Sequence, residues 1–246
     1  MRVAAAQIVV TMGDKDANLR AARAAVAAAA QQRCDVVVLP ECLLAGWLSP
    51  AAPELAEPIP GPATDLLAEL ATTHELAIVA GIEERTSEGL YNAAVLVDRH
   101  GRLLARHRKV DELDEGLQLY RRGSSLGVVE LEGVLVAVTI CADSWAPAIT
   151  DTVHLMDARL VLSPCAWAVE PGGEEANLAW IAARYADRTA GRELFVVAAD
   201  GVGVVSEGPW RGKVLQGDSL VVGPGGVVLG RGRTGEPDLV VVDLPL

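Results

Sequence analysis

No stretch of this chain approaches the ~20 consecutive apolar residues that a membrane-spanning helix needs, although 51 % of its residues are hydrophobic. Val3 to Val10 is apolar but short. Asp14, Lys15 and Asp16 follow it with no processing site of small residues, which argues against a secretory leader. A cytoplasmic protein with no membrane partner is the expectation. Positive charge is also scarce: 21 Lys and Arg face 33 Asp and Glu, for a net charge of −12 and a pI near 4.8. That balance excludes nucleic acid and anionic membrane surfaces as partners and reads as solubility. Cysteine amounts to Cys34, Cys42, Cys141 and Cys165, with no CxxC pair. A disulfide framework is not expected in a long cytoplasmic chain. His74, His100, His107 and His154 form no HxxxH or similar ligand pair. Neither a metal nor an organic cofactor is expected.

A length of 246 residues fits one large domain or two small ones. No repeat or dividing linker is visible, so residues 1–246 read as one domain. Strands are predicted over 2–10, 35–39, 76–83, 92–98, 103–107, 127–131, 134–140, 160–163, 194–198, 219–222, 227–229 and 239–242. Helices are predicted over 14–32, 62–74, 147–156 and 177–190. Strands and helices alternate in pairs, which indicates an α/β or α+β protein whose sheets are covered by helices.

Two familiar patterns lack their context. Gly123-Ser124-Ser125-Leu126-Gly127 matches the GxSxG serine elbow, but polar residues precede it and a strand, not a helix, follows. Gly230-Arg231-Gly232-Arg233-Thr234-Gly235 matches GxGxxG, but only a terminal strand remains after it, so it reads as a glycine-rich turn.

Three strand ends carry complementary chemistry. The apolar run 133–140 ends at Cys141, before a turn that feeds a helix. A thiol there sits where backbone N–H groups face developing negative charge. The run 36–40 ends at Glu41, and 103–108 ends at Lys109. Each residue has an ordinary explanation. A lone Cys after a strand is commonly a small buried hydrophobe. Glu41 reads as a solvated strand end, and Lys109 as part of a basic surface cluster, 106–109. The conjunction of nucleophile, carboxylate and ammonium at one topological place favours amide hydrolysis.

These segments make the chain recognisable. Arg2 to Gln7, Asp35 to Glu41, Tyr91-Asn92-Ala93-Ala94, Asp98 to Gly101, His107-Arg108-Lys109, Ile140-Cys141-Ala142-Asp143 with Pro147, Ser163 to Trp167, and Gly217-Asp218-Ser219 with Pro224 and Gly226 stand in order along almost the whole length. In them the chain resembles the nitrilase superfamily of carbon–nitrogen hydrolases, in its amidase-like branch. The resemblance implies a four-layer α-β-β-α sandwich. It implies Glu41 as general base, Lys109 as cationic stabiliser and Cys141 as nucleophile. Glu112 and Glu115 both compete for the family's second glutamate, and neither has the common spacing. The segment after Cys141 has Trp145 and Pro147-Ala148 where an Arg and a Pro-Glu pair are common, and Gly191-Arg192 stands where Glu-Asn is frequent.

The implied chemistry is hydrolysis of a small amide to acid and ammonia or amine, through a thioester on Cys141. The backbone N–H of Ala142 would help bind the oxyanion, with Trp145 and Trp167 lining the substrate pocket. A nitrile substrate and acyl transfer to an amine use the same groups. A fused synthetase role lacks a Gly-x-x-x-x-Gly-Lys loop, and lipoprotein acylation lacks membrane helices. A non-catalytic binding protein on the same fold is the reading of a different class. A homodimer or larger homo-oligomer is expected, and Trp180 and Tyr185 of one late helix face either the partner or the interior of the subunit.

Overall fold

The computed structural model describes residues 1–246. In its first half the chain runs β1 (Arg2–Gln7), α1 (Lys15–Gln31), β2 (Val36–Val38), α2 (Ala52–Leu55), α3 (Pro62–His74), β3 (Ala77–Thr86), β4 (Gly89–Val97) and β5 (Leu103–Arg108). In the second it runs β6 (Val128–Leu131), β7 (Val134–Val138), α4 (Pro147–Leu155), β8 (Leu160–Pro164), β9 (Ala168–Val169), α5 (Glu174–Thr189), β10 (Phe195–Ala199), β11 (Val202–Val204), β12 (Val214–Gln216), β13 (Leu220–Val222), β14 (Val228–Arg231) and β15 (Asp238–Asp243). A short 3-10 turn, Cys141–Trp145, lies between β7 and α4.

Two six-stranded sheets result. The first has the order β15-β1-β2-β3-β4-β5 and the second β14-β13-β10-β8-β7-β6. The centre of each is parallel, β1-β2-β3 and β7-β8-β10, and antiparallel strands flank it. Successive strand side chains point to opposite faces. Val3, Ala5, Val36, Val38 and Val79 therefore enter the core shared with the second sheet. Ala4, Ala6, Val37, Ile78 and Ala80 meet the helices outside. Helix α1 buries Asn18, Ala22, Val26 and Ala29, one stripe at helical spacing. Asp14 caps it by accepting from the Ala17 N–H at 2.9 Å, a cap worth about 1 kcal/mol. Leu67, Leu70 and Ala71 of α3 complete that layer. Val153 of α4 and Ile181 and Tyr185 of α5 pack on the other sheet. The layers are α-β-β-α, as the resemblance implies.

Predicted and observed elements coincide closely for the long helices, with α3 at 62–74 and α1 at 15–31. The first strand stops at Gln7 rather than Val10, and α5 begins at Glu174 rather than Asn177. A third, three-stranded sheet, β11-β12-β9, was not foreseen. Its strands of two or three residues are too short for alternation to register. The Gly123–Gly127 pattern lies in coil just before β6, and the Gly230–Gly235 pattern runs from β14 into a turn, with no helix directly after either. No helix is long and apolar enough to cross a membrane.

Of the two placements open to Tyr185, the structure shows the interior one and not the partner face. The Tyr185 side chain is fully buried, and its hydroxyl lies 2.9 Å from Ser144 Oγ. The four-residue repeat of α5 turns Ile181, Tyr185 and Thr189 inward together. Trp180, one residue off that stripe, remains 45 % exposed.

Candidate active site

Glu41 is the third residue after β2, Lys109 the first after β5, and Cys141 the third after β7. The parallel strand order brings these ends to one edge of the facing sheets. Glu41 is held by backbone contacts on both sides: its N–H donates to the Cys165 carbonyl at 3.2 Å, and the Gly81 N–H donates to the Pro40 carbonyl at 3.1 Å. Gly81 must lack a side chain here, because a Cβ would lie 2.5 Å from the Glu41 Cα.

The three charged groups meet in a buried cluster. Lys109 Nζ donates to Glu41 Oε1 at 2.9 Å and lies 3.2 Å from Glu112 Oε1. Asn92 Nδ2 donates to Glu41 Oε1 at 2.6 Å and to Glu112 Oε2 at 3.1 Å. All four side chains are essentially without solvent exposure. The ordinary readings of Glu41 as a solvated strand end and Lys109 as surface charge are thereby excluded. Burial alone would lower the Lys109 pKa, but the attraction of Glu41 and Glu112 outweighs it and holds the ammonium well above its usual range. A negative Cys141 adds to the same pull. Burial raises the Glu112 carboxyl, opposed by Lys109. The second oxygen of Glu41, Oε2, is buried with no hydrogen-bond partner.

Of the two competing glutamates, the structure brings only Glu112 to the cluster. Glu115 is half-buried at the head of a 3-10 turn, Gly116–Gln118, and takes no part in the cluster's bonds. The cause is a clamp on the intervening chain. Asp143 Oδ1 accepts from the N–H groups of Val110 at 3.0 Å and Asp111 at 2.6 Å, which curls Glu112 back onto Lys109. Asp143 Oδ2 accepts from the Ile140 N–H at 3.2 Å and lies 2.7 Å from His107 Nε2. One buried carboxylate thus ties the lysine segment to the cysteine segment. Gly116 packs so closely on Glu112 that a Cβ would lie 2.5 Å from its Cδ.

Cys141 has φ = +47°, a left-handed conformation that costs a non-glycine residue roughly 1–2 kcal/mol. Ser144 Oγ donates to the Cys141 carbonyl at 2.7 Å and holds the turn. The thiol is only 8 % exposed. It lines a cavity of about 200 Å³ together with Trp145 and Trp167, so both residues predicted for the pocket wall stand beside it. Ala142 is buried and does not line the cavity. Its relevance is confined to the N–H at the head of the turn, where such groups lack intrahelical partners. The other thiols are unsuited to attack. Burial pushes Cys34 up to about 11 and raises Cys42 and Cys165 well above the ordinary thiol range. A larger apolar cleft of about 410 Å³ between Val9, α1 and Leu239 contains no nucleophile. No group of three or more His, Cys, Asp or Glu side chains is arranged to hold a metal ion.

Asn92, Asp143 and His107 stand in segments that mark the resemblance, yet residue type alone assigned them no part. The signal was their position: Asn92 lies in β4 beside the end of β5, where an amide can reach two carboxylates.

The sequence model describing carbon–nitrogen hydrolases matches residues 2–246. The omega-amidase NIT2 of Xenopus tropicalis is 27 % identical over 246 residues, covering 94 % of this chain and 84 % of that protein. The glutamine-dependent NAD(+) synthetase of Thermotoga maritima is 26 % identical and aligns with all of this chain and 42 % of its own length. Among solved structures, an amidase from Nesterenkonia sp. AN1, with acrylamide added at its active-site cysteine, superposes with a TM-score of 0.84. It is 26 % identical and covers all of this chain and 93 % of that one.

Proposed function

The chain belongs to the carbon–nitrogen hydrolase family, as an amidase-like enzyme acting on C–N bonds other than peptide bonds. On that premise we propose that it hydrolyses small-molecule amides through a thioester on Cys141, with Glu41 as proton carrier and Lys109 as cationic stabiliser. The observation that carries this reading is the buried cluster of Glu41, Lys109, Glu112 and Asn92 near a thiol held at positive φ. Backbone strain of that kind collects where function demands a set geometry.

The steps balance within these residues. Glu41 takes the thiol proton on Oε2, the oxygen that has no other partner. The sulfur attacks the amide carbon, a C–S bond forms, and the carbonyl electrons move to oxygen. Lys109 Nζ and the Ala142 N–H bind that oxyanion, each such donor being worth roughly 3 kcal/mol. The C–N bond breaks as Glu41 returns the proton to the leaving nitrogen. Water then attacks the thioester and gives its proton to Glu41, the C–S bond breaks as Glu41 returns that proton to the departing sulfur, and acid leaves. Glu112 is a positioning residue in this scheme. It supports Lys109 and Asn92, and both of these hold Glu41.

Steady-state ammonia release by a Cys141→Ala variant tests the reading. Activity should vanish while circular dichroism is unchanged. Substantial turnover by a folded variant removes Cys141 from the mechanism.

A further inference from the structure

Aromatic residues make up only 4 % of this chain, yet four of its five tryptophans surround the one cavity that contains Cys141. Trp145 comes from the turn that Cys141 begins, Trp167 from the loop after β8, Trp180 from α5, and Trp210 from the loop between β11 and β12. Trp145 is the hub. Its ring lies 5.4 Å from Trp180, nearly perpendicular at 82°, and 6.3 Å from Trp167. The cavity, about 200 Å³, is smaller than the ~300 Å³ at which pockets for drug-sized ligands begin, so it takes a compact group.

No charged side chain lines it. The one polar lining side chain, Asn177, has its amide nitrogen committed to Gln216 Oε1 at 2.8 Å. Arg184 and Lys213 pack on two of the wall indoles but do not line the cavity: Arg184 sits 4.7 Å from the Trp180 ring centre and Lys213 sits 3.9 Å from that of Trp210. The Trp167 indole N–H is buried without a partner and is a neutral donor on a residue of the wall.

We infer that this cavity receives the acyl half of the substrate, and that this half is a compact, uncharged aromatic or heteroaromatic ring. The inference rests on the amide-hydrolase reading above. A flat ring meets indole edges and faces at the separations these tryptophans already adopt among themselves. A ring nitrogen or carbonyl can accept the free Trp167 N–H. A carboxylate placed there finds no cation among the lining side chains. The monoamide of a dicarboxylic acid is therefore excluded as the preferred substrate, although a protein called an omega-amidase is among the relatives.

Binding and turnover test this separately. Benzamide, nicotinamide and succinamic acid are titrated into Cys141→Ala by calorimetry and tryptophan fluorescence, with Cys141→Ser as a second host should the alanine variant misfold. The aryl amides should quench the indoles and bind at least ~10-fold more tightly than succinamate. Trp180 is half exposed, and Trp180→Arg should move the wild-type kcat/KM ratio toward succinamate by ~10-fold or more. Equal or tighter binding of succinamate, no binding of any aryl amide, or an unmoved ratio in Trp180→Arg overturns the inference. Aryl-amide binding without wild-type turnover leaves the cavity assignment standing and sinks the hydrolase reading. Preferential turnover of succinamate does the reverse.

Discussion

Replacing Lys109 by Met separates what the buried ammonium does for the fold from what it does for the reaction. In the native cluster Nζ lies 2.9 Å from Glu41 and 3.2 Å from Glu112. Methionine keeps much of the stem's volume and removes the only positive charge. Two buried carboxylates then share one side-chain donor, Asn92 Nδ2, with the Leu113 N–H donating to Glu112 alone at 3.0 Å. Removing one member of a buried ion pair costs about 3–5 kcal/mol, a large part of the ~5–15 kcal/mol that holds a typical domain together. Loss of activity in this variant alone is therefore ambiguous. Adding Glu112→Gln resolves it, because the double variant carries one buried carboxylate instead of two, and Asn92 still donates to it. We expect the double variant to be more stable than the sum of the single effects by roughly 0.5–3 kcal/mol, the range for directly coupled residues. Urea denaturation at constant pH measures this. Turnover should not follow stability: both variants lacking Lys109 should stay at least ~100-fold below wild type, since the charge that meets the oxyanion is gone. Strict additivity in the urea series would falsify the picture of one electrostatic unit. Recovery of turnover with recovered stability would show that Lys109 is structural only.

Glu41→Gln keeps shape and removes the proton acceptor, so single-turnover acylation should fall by at least ~100-fold with binding little changed; a loss of tenfold or less removes Glu41 as base. Iodoacetamide followed by peptide mapping should label Cys141 ahead of Cys34, Cys42 and Cys165, whose thiols burial holds protonated; uniform labelling of the native protein contradicts an activated thiol. Burial raises Glu83 from 4.5 to about 7, against the opposing N–H bonds from Leu44 and Ala45. Between those pH values the native state keeps a proton that the unfolded chain has lost. Stability from this group is thus complete below about 4.5 and falls as pH rises to about 7, by about 3 kcal/mol. Glu83→Gln should lose that slope in denaturation curves taken from pH 4.5 to 8, and an unchanged slope assigns it elsewhere.

Two of the strands that place the cluster were legible as apolar runs that end at a functional residue, Glu41 and Cys141, while the strand before Lys109 starts apolar and turns basic. Glu41, Lys109 and Cys141 could be located at strand ends with no knowledge of strand order. Glu112 and Glu115 could not be separated in the same way. Their difference lies in the Asp143 clamp on Val110 and Asp111, a contact across more than thirty residues that no local pattern encodes. The placement of Tyr185 stayed open for a related reason. An aromatic on a late helix fits a partner face or a core equally well until the phase of the helix against β8 and β10 is known. The tryptophan wall was half visible: Trp145 and Trp167 adjoin the motifs, whereas Trp180 and Trp210 arrive from elements that carry no motif.

The places where this chain departs from ordinary packing coincide. A non-glycine residue at positive φ, a carboxylate oxygen with no partner, and an ammonium held between two buried carboxylates each cost stability when taken singly. Elsewhere propensity, alternation and capping agree with the fold, as along α1 and β1. Asp143 makes the departures sustainable. It is fully buried and fixes the lysine loop, the head of the cysteine turn and His107 with four contacts from two oxygens. The strained thiol and the buried ammonium are thus held relative to each other by one side chain that need not touch the substrate. A site assembled in this way keeps its spacing when the acyl cavity beside it changes. The substrate wall can therefore differ from one relative to another while the charged cluster stays the same.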